Sequence, residues 1–282
     1  MYGRLPTDAL RVAMVAVDAI VNEAVVRAQP AGVVLHALTG EKTATVTVTI
    51  PEPTFEAYHA EGGDFGINAR TVHPFVAWLE SDSITMTSPP NTDRVRLATL
   101  QATYSVSRIS PASIRQRTVV RAQREPIAAF SLSSDSTRLA NTVRAAGLCG
   151  VNITIHTRAG RPVLAFSAEG DADSMHSAFR RDDLLAFYGR RARATYSLDK
   201  LAGMYAVLAS LTERVQVAID RRSRLHLMGC HLATGVEIHY TLDAHGDNDQ
   251  DTAVIEQHPV DEASSHARPA EPSAGAERAR SP

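Results

Sequence analysis

Gly66-Ile67-Asn68, then Ala69-Arg70-Thr71-Val72-His73-Pro74-Phe75-Val76-Ala77-Trp78-Leu79, then Ser83–Thr87, make a three-part passage of lead-in, helix and strand. Val72, Phe75, Val76 and Leu79 fall on one face of a helix near 71–79. Pro74 predicts a late start for that helix, because proline is tolerated only in the first turn. The same order recurs further along the chain. Tyr196-Ser197-Leu198 leads into a helix over 199–211, with Leu201, Met204, Tyr205 and Leu208 on one face, and the strand Arg214–Ile219 follows.

Working outward from this match, each half opens with another helix. In the first, Thr7 or Asp8 can cap, and Leu10, Met14, Val17 and Val21 share a face. In the second, a helix over 136–146 carries Leu139 and Val143. Strands are expected at Glu23–Gln29, 33–38 and 43–50, where Thr43, Thr45, Thr47 and Thr49 alternate with Ala44, Val46, Val48 and Ile50. Further strands fall at 94–100 and 102–108, then at 151–156, 162–166, Ser174–Phe179, 224–230 and Val236–Leu242. The fold class is α+β: two copies of one helix–sheet–helix–sheet unit, with strands grouped into antiparallel sheets. The spans are 1–110 for the first unit, 111–126 for a connector, 127–243 for the second unit and 244–282 for a tail.

Composition narrows the function classes. Hydrophobic residues make up 44% of 282, enough for a sizeable aliphatic core, and no apolar run reaches the ~20 residues of a membrane span. A cytoplasmic protein without a membrane partner is the expectation. Cys149 and Cys230 form no CxxC pair and read as buried small hydrophobes. There is no GxxxxGK[ST], GxSxG or GxGxxG, so nucleotide hydrolysis and acyl transfer have no anchor. No cofactor is implied. Asp182-Asp183 reads as a capping pair. His226, Cys230, His231 and His239 are the one His/Cys cluster, with His226 and Cys230 on one face of a continuous strand and no metal expected. The tail holds 8 acids and 3 arginines, and the remainder 26 basic and 23 acidic residues. The body is therefore only mildly basic, and any nucleic-acid contact must rest on local arrangement.

Phe55-Glu56-Ala57-Tyr58, Gly62-Gly63 and Gly66-Ile67-Asn68 resemble the first-domain signature of archaeal and eukaryotic sliding clamps, the proliferating cell nuclear antigen family. The likeness is strongest to clamps of salt-loving archaea. Ile109-Ser110-Pro111-Ala112-Ser113-Ile114-Arg115-Gln116 is similar to the family's approach to its connector. Ala168-Glu169-Gly170-Asp171, Asp182-Asp183-Leu184-Leu185 and Tyr196-Ser197-Leu198-Asp199 resemble its second domain. The resemblance runs from Thr7 to Leu242. It implies a DNA clamp fold closing head to tail as a homotrimer, with 102–108 of one copy beside Ser174–Phe179 of the next. The implied role is non-catalytic: a processivity factor encircling double-stranded DNA and tethering DNA polymerase and other clamp-binding peptides, opened by a clamp loader.

The resemblance places DNA-facing basic residues at Arg11 and Arg138, with Arg70, His73, Arg144 and Lys200 as further candidates. Asp18, Ala77, Asn141 and Ala206 stand where the family has inner basic residues, so a weak grip on DNA is expected. It places a partner-peptide pocket at Leu38, Lys42 and Thr43, walled on the connector side by Val119, Val120 and Ile127. The connector carries Arg115, Arg117, Arg121 and Arg124 where the family is acidic and apolar, which would favour peptides with acidic flanks. The acidic tail could fold back on that connector. These departures also admit a second reading, a clamp-like paralogue of a virus or mobile element that acts as heteromeric partner or decoy for a host clamp.

Overall fold

The computed structural model describes residues 1–61, 63–89, 92–115, 126–133, 137–158 and 163–245. Gly62, most of the connector with Gln116, Arg117, Val119, Val120, Arg121 and Arg124, and the tail beyond His245 lie outside them. The Thr/Val alternation forms β4 (Ala44–Pro51), with Val46, Val48 and Ile50 fully buried and the threonines on the opposite face. The first half runs β1 (Tyr2–Pro6), α1 (Thr7–Asp18), β2 (Glu23–Gln29), β3 (Gly32–Leu38), β4, β5 (Ala57–His59), β6 (Phe65–Asn68), α2 (Ala69–Ala77), β7 (Ser83–Thr87), β8 (Arg94–Ala98) and β9 (Thr103–Ser107). The second runs β10 (Ala128–Ser133), α3 (Thr137–Cys149), β11 (Asn152–Thr157), β12 (Leu164–Glu169), β13 (Ser174–Phe179), β14 (Ala186–Gly189), β15 (Ala192–Ser197), α4 (Leu198–Leu211), β16 (Arg214–Ile219), β17 (Leu225–His231) and β18 (Val236–Leu242).

The repeat holds at the level of strand pairing. In the first half β1 pairs with β5 and β7, and β7, β8 and β9 follow in order. In the second, β10 pairs with β14 and β16, and β16, β17 and β18 follow. Likewise β6-β2-β3-β4 mirrors β15-β11-β12-β13. Register carries the match to single residues: Leu97 faces Tyr104 across β8–β9, as Leu227 faces Tyr240 across β17–β18. The lead-in match shifts by one residue, since Asn68 and Ser197 each directly precede a helix.

The halves are fused by β18 lying antiparallel to β4, from Glu237 opposite Thr49 to Leu242 opposite Ala44, which makes one nine-stranded sheet. Tyr240, fully buried on the inner side of this joint, donates its hydroxyl to Ala16 O of α1 at 2.7 Å. The helices lie in the order α2-α1-α4-α3, each burying an apolar face against the sheets.

Two expectations are corrected. Helix α2 begins at Ala69, where Asn68 Oδ1 accepts from Thr71 N at 3.1 Å, and Pro74 lies inside it. Proline costs only the bond its N–H would make to Arg70 O, and its ring stands on the exposed side of a short helix. Cys230 is exposed and Cys149 half-buried, so neither is a core residue; Cys230 sits on the face of β17 turned away from the helices. By contrast, Asp183 does cap, its Oδ2 accepting from Arg180 N at 2.6 Å.

Replacing Tyr240 by Phe strands a carbonyl at the joint between the halves. The expected loss is about 1–2 kcal/mol, read as a lower urea midpoint.

Candidate nucleic-acid and partner interface

On α1 the residues not fully buried are Asp8, Arg11, Val15 and Asp18, spaced by three or four and therefore on one side of the helix. Arg11 is held there: it pairs with Asp8, and its other guanidinium nitrogen donates to Leu79 O at 3.1 Å. Across the α1–α2 contact, His73 Nδ1 lies 3.0 Å from Asp18 Oδ2. On α3, Arg138 pairs with Asp183 at 2.6 Å, donates to Ala178 O at 2.6 Å and stacks over the Phe179 ring at 4.6 Å. Lys200, at the start of α4, bonds Glu41 at 2.8 Å and Thr43 Oγ1 at 2.6 Å, tying the second half to the β3–β4 turn. This ion pair holds the Glu41 carboxyl below its ordinary value. Arg70 and Arg144 are exposed and make no ion pair among the described residues. Of the six basic candidates, then, four are engaged within the chain and two point to solvent. The exposed side of α4 is Asp199, Ala202, Ala206 and Ala209, which with α3 forms a shallow groove beside Arg144.

The partner-pocket candidates meet in part. Leu38 ends β3, Lys42 stands exposed at the turn in the left-handed region (φ 64°), and Thr43 precedes β4. Ile127 packs against the main core, its N–H donating to Ile219 O at 2.9 Å. Register sets Leu38 opposite Thr45, Thr45 opposite Thr241 and Thr241 opposite His226, one row across four strands. Beside it the two imidazoles of the His/Cys cluster meet: His226 Nδ1 is 3.0 Å from His239 Nε2, and His226 Nε2 is 3.4 Å from Asp220 Oδ2. Asp220 is buried. It accepts from the Arg222 and Arg224 amides at 2.8 and 3.0 Å and pairs with the Arg224 guanidinium at 2.7 Å. The side-chain and backbone bonds from Arg224 hold its carboxyl down, against the opposing effect of its burial. The sequence grouped His226 with His239 but not with Asp220, whose place beside them depends on how β16 and β17 pair.

No family model matches the chain. A DNA polymerase sliding clamp of Natronomonas pharaonis is 26% identical over 203 residues, covering 70% of this chain and 79% of that protein. Another, of Methanothrix thermoacetophila, is 22% identical over 240 residues, covering 84% and 95%. The structure of the C-terminal region of FEN-1 bound to A. fulgidus PCNA superposes with a TM-score of 0.75 at 18% identity, over 88% of this chain and 99% of that one. A PCNA2-PCNA3 complex from Sulfolobus tokodaii gives 0.71 at 16%, over 88% and 100%.

The chain is similar over most of its length to archaeal DNA polymerase sliding clamps and has the fold of PCNA structures.

The chain's helix layer mixes Asp8, Asp18 and Asp199 with its arginines, and its outer face carries threonine, histidine and aspartate between the pocket candidates.

His239 gives the fold a pH dependence. Burial, and then the neighbouring His226, push its pKa down from 6.5 to about 4. Between those values the unfolded chain binds the proton and the folded chain does not, so stability falls as pH drops from about 6.5 to 4. The expected loss is roughly 2–3 kcal/mol in denaturant titrations, and His239→Gln should flatten the slope.

Proposed function

We propose that copies of this chain close head to tail, three to a ring around double-stranded DNA, and act there as a processivity clamp for DNA polymerase. It would tether other clamp-binding peptides, be opened by a clamp loader, and carry out no catalysis of its own. The β18–β4 joint carries this reading. The repeat makes β9 the counterpart of β18 and β13 the counterpart of β4, and among the described residues both end their sheets as unpaired edges. A joint of this kind already forms once inside the chain. Forming it again between copies uses the edges of β9 and β13, and a heterologous contact that closes gives a ring.

The observed joint supplies the register. Tyr240 faces Val46, so Tyr104 is assigned opposite Met175 of the partner subunit. Tyr240 donates to Ala16 O, so Tyr104 is assigned to the partner's Ala145 O, a contact that exposed Trp78 and Leu148 would flank. Tyr104→Ala should convert a trimer to monomers in sedimentation at micromolar concentration, with far-UV dichroism unchanged. A trimer that persists would rule this joint out.

DNA in such a ring is held through phosphates without base readout, so that the clamp slides. Arg70 and Arg144 are the first to meet it, being exposed and without an ion pair among the described residues. Arg11 and Arg138 would have to exchange Asp8 and Asp183 for phosphate. At the docking face, exposed Lys42 supports the preference for acidic flanks. Arg70→Ala with Arg144→Ala should lower the slope of log K against log salt by about 0.9 for each phosphate no longer neutralised. An unchanged slope in a binding titration would sink the assignment.

A further inference from the structure

We propose that the acidic stretch after His245 docks along the free edge of β15, with Asp247 against Arg193 and Asp249 against Arg191, so that the chain covers its own basic patch. This does not rest on the ring reading.

The path comes from the repeat. In the first half, Gly66 of β6 and Ile109, just past β9, form an antiparallel bridge with bonds of 2.7 and 3.0 Å. The counterpart of Gly66 is Thr195 of β15, and that of Ile109 is His245. His245 N–H donates to Thr195 O at 2.6 Å, so the second half repeats the contact. An antiparallel ladder advances residue for residue in opposite directions. Continued from this bond, it sets Asp247 opposite Arg193 and Asp249 opposite Arg191. Residues two apart share a face, so these side chains lie together.

Charge supplies the second argument. In the first half Arg27 and Asp64 form an ion pair at 3.2 Å. Their counterparts in the second half are His156 and Arg193, which register places directly opposite each other on β11 and β15. The carboxylate has become a guanidinium. Burial first, and then Arg193, His176, Arg158 and Arg191, push the His156 pKa down. Among the described residues, exposed Arg191 and Arg193 make no ion pair.

The chain that follows each bridge differs in the complementary sense. After Ile109 come Ser110-Pro111-Ala112-Ser113-Ile114-Arg115, with no acid and an early proline. After His245 come Gly246-Asp247-Asn248-Asp249-Gln250-Asp251, with aspartate at alternate positions and no proline before Pro259. Exposed ion pairs are individually weak. Here the covalent link holds the carboxylates at high effective concentration, which favours this tail over an acidic partner in solution.

The test uses the full chain carrying Arg191→Lys and Arg193→Lys, which keeps both charges and supplies amines for carbodiimide coupling. Peptide mass spectrometry should find position 193 joined to Asp247 and position 191 to Asp249. Yields should fall several-fold at about 1 M salt, where the screening length is about 3 Å, and also in Asp247→Asn with Asp249→Asn. Absent cross-links, or coupling mainly to other carboxylates, would overturn the proposal. So would light–heavy pairs from a mixture of labelled and unlabelled chains, since those assign the patch to the tail of a second copy.

Discussion

Pairing of β18 with β4 is the interaction on which the rest of the structure depends. Each half builds two small sheets, and a small sheet ends in unpaired N–H and C=O groups. The joint removes one such pair of edges and makes the central sheet continuous. It also brings α1 against α4, lets Tyr240 reach Ala16 O, and places Lys200 beside Glu41 and Thr43. Thr54 Oγ1, donating to Thr234 O at 2.8 Å, closes the other end. A duplicated unit that satisfies one joint internally leaves the counterpart strands β9 and β13 at the ends of their sheets, unpaired among the described residues.

The helix layer follows a different logic. Long-range attraction to DNA scales with uncompensated charge, and here much of the charge is compensated locally. Arg11 is matched by Asp8 one turn away, His73 by Asp18 of the neighbouring helix, and Arg138 by Asp183 across the second half. These half-exposed pairs contribute little to stability. Their larger effect is on the field: any phosphate approaching Arg138 would have to compete with a carboxylate at 2.6 Å and with the Phe179 ring.

Much of the fold was legible in sequence, for a physical reason. Strands with one buried and one polar face announce themselves by period, and β2, β7, β13, β16 and β18 lie where alternation puts them. Strands β1 and β6 lack that signal. In β1 the inward positions are Gly3 and Leu5, and at Gly3 the Phe55 ring occupies the space of a side chain, 2.8 Å from where a Cβ would stand. In β6, Gly66 is pressed by Ile109 and Ile114, so the face opposite Phe65 and Ile67 carries only Asn68 at its end. The site was less legible. Asp8–Arg11 can be read from spacing, but Arg138–Asp183 joins α3 to a turn well beyond it, and Lys200–Glu41 spans 159 residues.

The outer face of the central sheet sets a last constraint, on partners. The row Leu38, Thr45, Thr241, His226 offers hydroxyls and an imidazole where an apolar anchor would need hydrocarbon. Burying such groups without hydrogen bonds costs several times more than a methylene gains. Asp220 is already saturated by two amides and the Arg224 guanidinium, so it has little capacity for a newcomer. His226 already meets His239 and Asp220 through its two ring nitrogens, so the groups of this row left to bond are Thr45 and Thr241. A segment crossing this face therefore needs its own donors and acceptors in register with them. Were a segment to dock on this face, its specificity would lie in hydrogen-bond matching more than in the size of an apolar plug.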